Sequence, residues 1–353
     1  MLRNSKSVLL AFTRQVGAGR LFARTAWRRR RLLLLCYHGV SLKDEHLWDP
    51  RLFTSPEVFE RRLQTLDRID CTVLPLGEAI ERLYRNDLPA RAVSLTFDDG
   101  YHDFMAMAQP RLREYGFPAT VYLNTLRCEQ NFPVTRIALS YVLWKSGRPA
   151  LDGRGLPGLE PIDYEIASFD RCRSVAIAVH DHLLAVDASV REQDDVLAEV
   201  AGRVGIDYAA FKASRMLTLM RPQDVTAMAR EGVDFQLHTH RHRSPPEADL
   251  FADEIRENRW RIEAMTGVRP THFCYPSGIY RESHFALLEA EGVISATTTE
   301  PGLAARSDAR FLLPRFVDMQ AVPDAEFEAW LTGIAPWAKN VVGRSRTNSE
   351  AGS

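Results

Sequence analysis

The run Arg31-Leu-Leu-Leu-Leu-Cys-Tyr37 sets the tightest limit on the fold. Residues 32–36 are apolar at every position, so a strand here must be covered on both faces, as strands of parallel sheets are. The run is far shorter than the roughly 20 residues that a membrane-spanning helix needs. It ends in Tyr37-His38-Gly39, where polar character returns. Stretches of the same kind recur at 93–97, 119–123, 233–237, 271–275, 295–298 and 312–316, with a shorter one at 71–74. Helical patterns separate them. Ser55-Pro56 opens one, with Val58, Phe59, Leu63 and Leu66 on one stripe. Others are expected at 76–84, 102–115, 222–231, 249–266 and 281–292. Strand and helix in steady alternation predict a parallel sheet or barrel.

The rhythm breaks between 126 and 215. A Gly/Pro-rich patch at 147–161 and charged helical sequence such as 190–204 read as a mostly helical insertion at the rim of the sheet. At the amino end, residues 1–43 carry no Asp or Glu but many arginines, including Arg28 to Arg31. Residues 1–30 therefore read as a basic leader: a transit peptide, a helix on an anionic membrane surface, or a flexible tail. A catalytic domain is expected over 31–335 and a disordered tail over 336–353. The net charge of −1 gives no field to capture nucleic acid. Five scattered cysteines without a CxxC pair fit reduced thiols and a cytoplasmic setting, with membrane association open through the leader.

Two motifs carry chemistry. Thr96-Phe97-Asp98-Asp99-Gly100 closes a strand in two adjacent carboxylates and a glycine. Neighbouring acids repel, and a bound cation relieves the repulsion; alone, Asp-Asp-Gly also reads as a solvated turn. His238-Thr239-His240-Arg241-His242 follows the strand at 233–237. In a parallel α/β architecture both motifs open on the carboxyl-end face. One carboxylate with His238 and His242 makes a facial set for Zn²⁺, with Co²⁺, Ni²⁺ or Mn²⁺ as alternatives.

These two motifs resemble those of the polysaccharide deacetylases, the carbohydrate esterase group with the NodB homology domain. The resemblance implies a distorted (β/α) barrel and metal-dependent hydrolysis of N-acetyl groups on an amino-sugar polysaccharide or glycoconjugate. Position by position it makes Asp99, His238 and His242 the metal ligands and Asp98 the general base. The family's third motif, Arg-Pro-Pro-Tyr or similar, is replaced by Phe273-Cys274-Tyr275-Pro276-Ser277-Gly278. The Ser277 amide is the candidate oxyanion donor, and Arg315, late in the chain, is the candidate replacement for the missing arginine. No histidine follows His284 to serve as the family's late general acid. Tyr37-His38 resembles a strand of deacetylases with permuted motifs that act on poly-N-acetylglucosamine, which makes His38 the candidate acid; a buried structural histidine is its alternative. The competing functions are another C–N amidase on the same scaffold and an inactive carbohydrate-binding relative. His240 and Arg241 are expected to be loop residues without a part in the chemistry.

Overall fold

In the computed structural model, which describes residues 22–337, the apolar run is strand β1 (Arg31–Tyr37), buried at every position after Arg31. Its parallel neighbours are β2 (Ala92–Asp99) on one side and β7 (Leu313–Val317) on the other. From β2 the parallel pairing continues through β3 (Ala119–Leu123), β4 (Asp234–Leu237), β5 (His272–Cys274) and β6 (Ser295–Pro301) to β7. Seven strands thus close a barrel in chain order, the (β/α) barrel that the resemblance implies where the alternation left sheet and barrel open. Thr72–Val73 adds a short parallel strand beside the start of β2, and Ala304–Ala305 an antiparallel one beside β1.

Strand parity divides the barrel wall. Leu33, Leu35, Val93, Leu95, Phe97, Val121, Leu237 and Phe273 face the helices and share one apolar cluster with them. The other parity turns inward and is largely polar towards the carboxyl ends, with Thr96, Asp98, His238, Cys274 and Arg315 among its members. At the amino ends the inward residues Leu32, Leu34 and Leu313 meet Leu76, Ala79, Ile80 and Leu83 of helix α2 (Leu76–Arg85). Helix α2 therefore stoppers the barrel from below. Helix α1 (Pro56–Arg68) starts as expected, with Val58 N donating to Ser55 Oγ at 3.2 Å.

Three expectations need correction. The single helix expected at 102–115 begins with a wider π turn, Phe104–Ala108, before helix α3 (Gln109–Tyr115). Pro110 has no N–H for the regular ladder, and Gln109 N bonds Phe104 O instead. The insertion, expected to be mostly helical, also holds strands in its Gly/Pro-rich patch, where Ala150–Asp152 and Asp163–Glu165 pair as an antiparallel hairpin. The leader does not remain free through residue 30. Arg28 is fully buried, its guanidinium donating to the carbonyls of Leu331, Arg31 and Ala92 at 2.9, 2.7 and 3.2 Å. Burial pushes it down to about 10. Phe22 meets Trp337 at 5.5 Å between ring centres, so the exposed residue 337 still contacts the amino end of the described chain. The remaining parts of the expected leader and tail, 1–21 and 338–353, lie outside the described residues. Among the described residues, no helix is long and apolar enough to cross a membrane.

Between β3 and β4 the chain forms α4 (Thr125–Gln130), α5 (Thr135–Lys145), α6 (Phe169–Ala185) and α7 (Val190–Arg203). Their apolar residues, such as Leu139, Val142, Val175, Val179, Leu197 and Val200, build a second core with Trp48, Phe53 and Tyr101. The insertion is thereby seated on the loops that leave β1 and β2, at the carboxyl-end mouth. Helices α8 (Pro222–Arg230) and α9 (Ala248–Thr266) flank β4, α10 (Phe285–Ala290) precedes β6, and α11 (Asp324–Thr332) ends the set.

The seam between the first and last strands is locked by a buried charge. Arg62 of α1 donates through Nε to Asp318 at 2.9 Å, Tyr37 Oη donates to the same carboxylate at 3.1 Å, and Asp318 N bonds Cys36 O at 3.0 Å. Burial raises the Asp318 carboxyl, against the pull of Arg62. Replacing Arg62 with Leu strands this acid without its cation, so urea denaturation near neutral pH should show a loss of about 3–5 kcal/mol. A raised carboxyl favours the folded state when protonated, so the loss should shrink as pH falls through its folded value.

Candidate active site

The two motifs meet at the carboxyl-end mouth because of register. Asp98 pairs with Tyr122 and Asp99 with Leu123, Leu123 with Leu237, and Leu237 with Phe273. The residues that follow on adjacent strands therefore end at one level. The adjacent acids are separated by a change of backbone hand. Asp98 keeps the inward parity of its strand, whereas Asp99 is left-handed at φ 69° and Gly100 follows at φ 85°. A Cβ on Gly100 would stand 2.4 Å from Leu123 Cδ1, so a glycine is required there.

Asp98 is held inside the barrel. Arg315 Nη1 and Nη2 each lie 2.7 Å from one of its oxygens, and Arg315 Nε donates to Thr298 O at 2.9 Å. Cys36 and Cys274 direct their thiols at Asp98 Oδ2 from 3.5 and 3.6 Å. His38 Nε2 is 3.9 Å from the same oxygen. Burial opposes the charge on Asp98, but Arg315 overcomes it, helped by His38 and His238, and the carboxyl stays well below the usual carboxylate range.

Asp99 faces the other cluster. Its Oδ1 is 3.0 Å from His242 Nε2 and 3.3 Å from His238 Nε2. Burial again opposes its charge, and the imidazoles of His242 and His238 hold the carboxyl well below its ordinary value. His238 Nδ1 lies 2.8 Å from Cys274 O. A carbonyl can only accept, so the proton sits on Nδ1 and the Nε2 lone pair points towards Asp99. Three ligand atoms from Asp99, His238 and His242 gather within 4.8 Å of one another. That donor set suits a divalent first-row cation. A second group, Asp98, His238 and Cys274, is equally compact, but Arg315 already occupies both oxygens of its carboxylate.

The histidine loop is not a helical turn; its shape comes from helix α9. Asn258 Oδ1 accepts from His238 N at 2.9 Å, and its amide donates to Leu123 O and Thr125 Oγ1. Glu254, fully buried, accepts from Arg241 N at 2.7 Å, and its carbonyl accepts from His240 N. His240 is itself buried, with Nδ1 2.9 Å from Thr125 Oγ1 and Nε2 3.4 Å from Glu257. It anchors the loop from behind, where an uninvolved loop residue was expected. Thr239 Oγ1 accepts from Arg243 N, and both Thr239 and His242 are left-handed, at φ 63° and 54°. Asp103 pins the other rim: it accepts from Val40 N, two residues beyond His38.

Glu254 and Asn258 are not legible as site residues from the sequence, whereas Asp103 stands with His102 in the first turn after the two acids, where it reads as either a support of the site or an exposed residue. One signal was present for the first two, polar residues four apart on the buried stripe of Phe251, Ile255 and Ile262. Ser277 lies in a short turn after β5 at φ 56°, exposed, where Gly278 and Ile279 donate to Tyr275 O and Pro276 O; its own amide is not among those donors. His102 lies apart from the centre: burial, with Arg215 and Arg221 nearby, pushes it down to about 4.

The polysaccharide deacetylase family model matches residues 85–151 and 177–294, just over half of the chain. No curated protein matches it. Three solved structures share the fold at low identity. The Streptococcus pyogenes deacetylase PplD, solved in complex with acetate, has a TM-score of 0.55 at 17% identity, over 84% of this chain and 96% of its own. IcaB from Ammonifex degensii gives 0.53 at 17%, over 86% and 97%. A de-N-acetylase from Aggregatibacter actinomycetemcomitans gives 0.51 at 14%, over 85% and 99%. With motifs, barrel and family model in agreement, the chain belongs to the polysaccharide deacetylase family.

Proposed function

We propose that this protein hydrolyses N-acetyl groups from an amino-sugar glycan or glycoconjugate with the help of a divalent metal held by Asp99, His238 and His242. The observation that carries this reading is the convergence of both imidazole Nε2 atoms on one oxygen of Asp99, beside an Asp98 fixed by Arg315. When bound, the metal acidifies water and polarises the acetyl carbonyl. Asp98 accepts the proton of the attacking water. Its depressed pKa keeps it ionised throughout the neutral range, and the two bonds from Arg315 fix the direction of its lone pairs. Arg315 is thus a positioning residue that replaces the family's third-motif arginine from a different strand. His38, partly open to solvent at the mouth, protonates the departing amine. The Ser277 amide serves the developing oxyanion.

The direct test is acetate release from N-acetylglucosamine oligomers. Chelated protein should be inactive, Zn²⁺, Co²⁺, Ni²⁺ or Mn²⁺ should restore turnover, and Asp99→Ala should lose the bound ion as measured by elemental analysis. Absence of acetate with every metal would overturn the reading. His38→Ala should lower kcat by about 10²–10⁴-fold; a variant as fast as the parent protein removes His38 from the reaction.

A pH profile tests Arg315. A carboxyl held below its ordinary value stays a base as the solution is acidified, so Asp98 should not set the acid limb of the parent protein. Arg315→Met removes the largest counterweight to burial, leaving only His38 and His238, and the acid limb of kcat/KM should move to higher pH. An unmoved limb would show that Arg315 does not tune Asp98.

A further inference from the structure

Outside the site, one pocket carries unpaired polar groups of a single kind. It lies where the loop 48–52 meets the first turns of α5 and α6, with room for about 200 Å³ of solvent. That is below the ~300–1,000 Å³ of pockets that enclose a whole small-molecule ligand, so it suits one chemical group. Arg51, Arg136 and Arg173 line it. Arg51 is already satisfied: its Nε and Nη2 lie 3.0 and 3.2 Å from the oxygens of Asp49, and its guanidinium sits over the Phe169 ring. The exposed Asp170 adds a second, more distant carboxylate to its surroundings. Among the described residues, Arg136 and Arg173 have no acidic partner.

The pocket wall adds two further groups. Trp48 and Ser140 are each more than nine-tenths buried and line the same pocket, and neither Trp48 Nε1 nor Ser140 Oγ has a hydrogen-bond partner. An indole and a guanidinium can only donate, and a hydroxyl can donate as well. The one carboxylate in the wall, Asp49, is fully engaged by Arg51. The pocket therefore offers two free positive charges and unpaired donors to an incoming group, which is the chemistry of an oxyanion site.

Its position ties it to the catalytic mouth. Gly39, the residue after His38, donates its amide to Leu52 O at 3.1 Å, and Leu52 lines the pocket. Trp48 packs on Phe53, and Phe53 packs on Tyr101, two residues beyond Asp99, with ring centres 6.1 and 5.6 Å apart. The Tyr101 phenol feels both ends: beyond its burial, Asp99 and Asp103 oppose its ionisation and Arg136 favours it.

We propose that this pocket is an oxyanion subsite that holds a phosphate or carboxylate group carried by the glycan substrate, so that the preferred substrate is anionic. The assignment rests on the deacetylase reading for the identity of the substrate, but the binding site is testable without turnover. Isothermal titration of the full-length protein with D-glucose 6-phosphate, D-glucuronate and D-glucose separates the two anion sources from the neutral sugar. At least one anion should bind and glucose should not. Binding should weaken at least tenfold in R136Q/R173Q. It should also weaken with rising salt in the parent protein, a series that needs no variant. The stronger of the two anions identifies the group. Acetate release from oligomers with and without that group should then favour the anionic substrate at least tenfold in kcat/KM, and R136Q/R173Q should erase most of that ratio. Failure of both anions to bind, or equal binding by parent and variant, would overturn the site. Binding with no preference in turnover would overturn its assignment to the substrate. Anion binding that persists in a protein releasing no acetate from any oligomer would count against the deacetylase reading and for the pocket.

Discussion

Arg315 and Asp98 face each other inside the barrel through two parallel hydrogen bonds, and much of the molecule serves to keep them there. A charge pair removed from water is costly unless its geometry is good and its remaining donors are satisfied. Here the third guanidinium donor goes to Thr298 O, and the carboxylate is further ringed by two thiols and an imidazole. The polar inward parity of the upper strands is the solvent for this pair. The apolar lower layer, stoppered by α2, is what keeps water from entering from the other end.

From that fixed carboxylate the rest of the centre is reached by one change of backbone hand. Asp99, Thr239, His242 and Ser277 all have positive φ, at a cost of order 1–3 kcal/mol each, and all lie around the mouth. Such conformations persist only where the surroundings over-determine them. Asn258 and Glu254 supply that support for the histidine loop and Asp103 for the loop after His38. Asp99, His238 and His242, the three candidate ligands, are brought together here, and the arginine that holds Asp98 comes from β7.

The parallel α/β character was legible in the sequence because the strands are short and regularly spaced between helices; that spacing suits an open sheet as well as a barrel, and the resemblance of the two motifs pointed to the barrel. The local motifs were legible because chemistry demands particular residue types in particular order. Asp98 and Arg315 are 217 positions apart, and nothing local announced their pairing; only the lack of an arginine near Cys274 pointed to a distant substitute. The loop anchors Glu254 and Asn258 were overlooked because a helix is read by its apolar stripe, and a polar residue on that stripe looks like a flaw until its partner is known. Arg28 misled for a related reason. Within a run of arginines its burial depends on two carbonyls from distant parts of the chain, those of Leu331 and Ala92, beside the nearby carbonyl of Arg31.

Chain-order closure of the barrel has a consequence for how the protein is made. Strand β1 borders β2 and β7, so the last strand to leave the ribosome is the one that seals the first. Until residues 313–317 emerge, both β1 and β6 lack a neighbour and present unpaired backbone to other chains. This apolar strand is therefore held open until the closing strand has been made, and closure must wait for a contact spanning some 280 positions, a topology that slows folding. Assembly of the reaction centre is bound to that same late event, because Arg315 arrives on the closing strand.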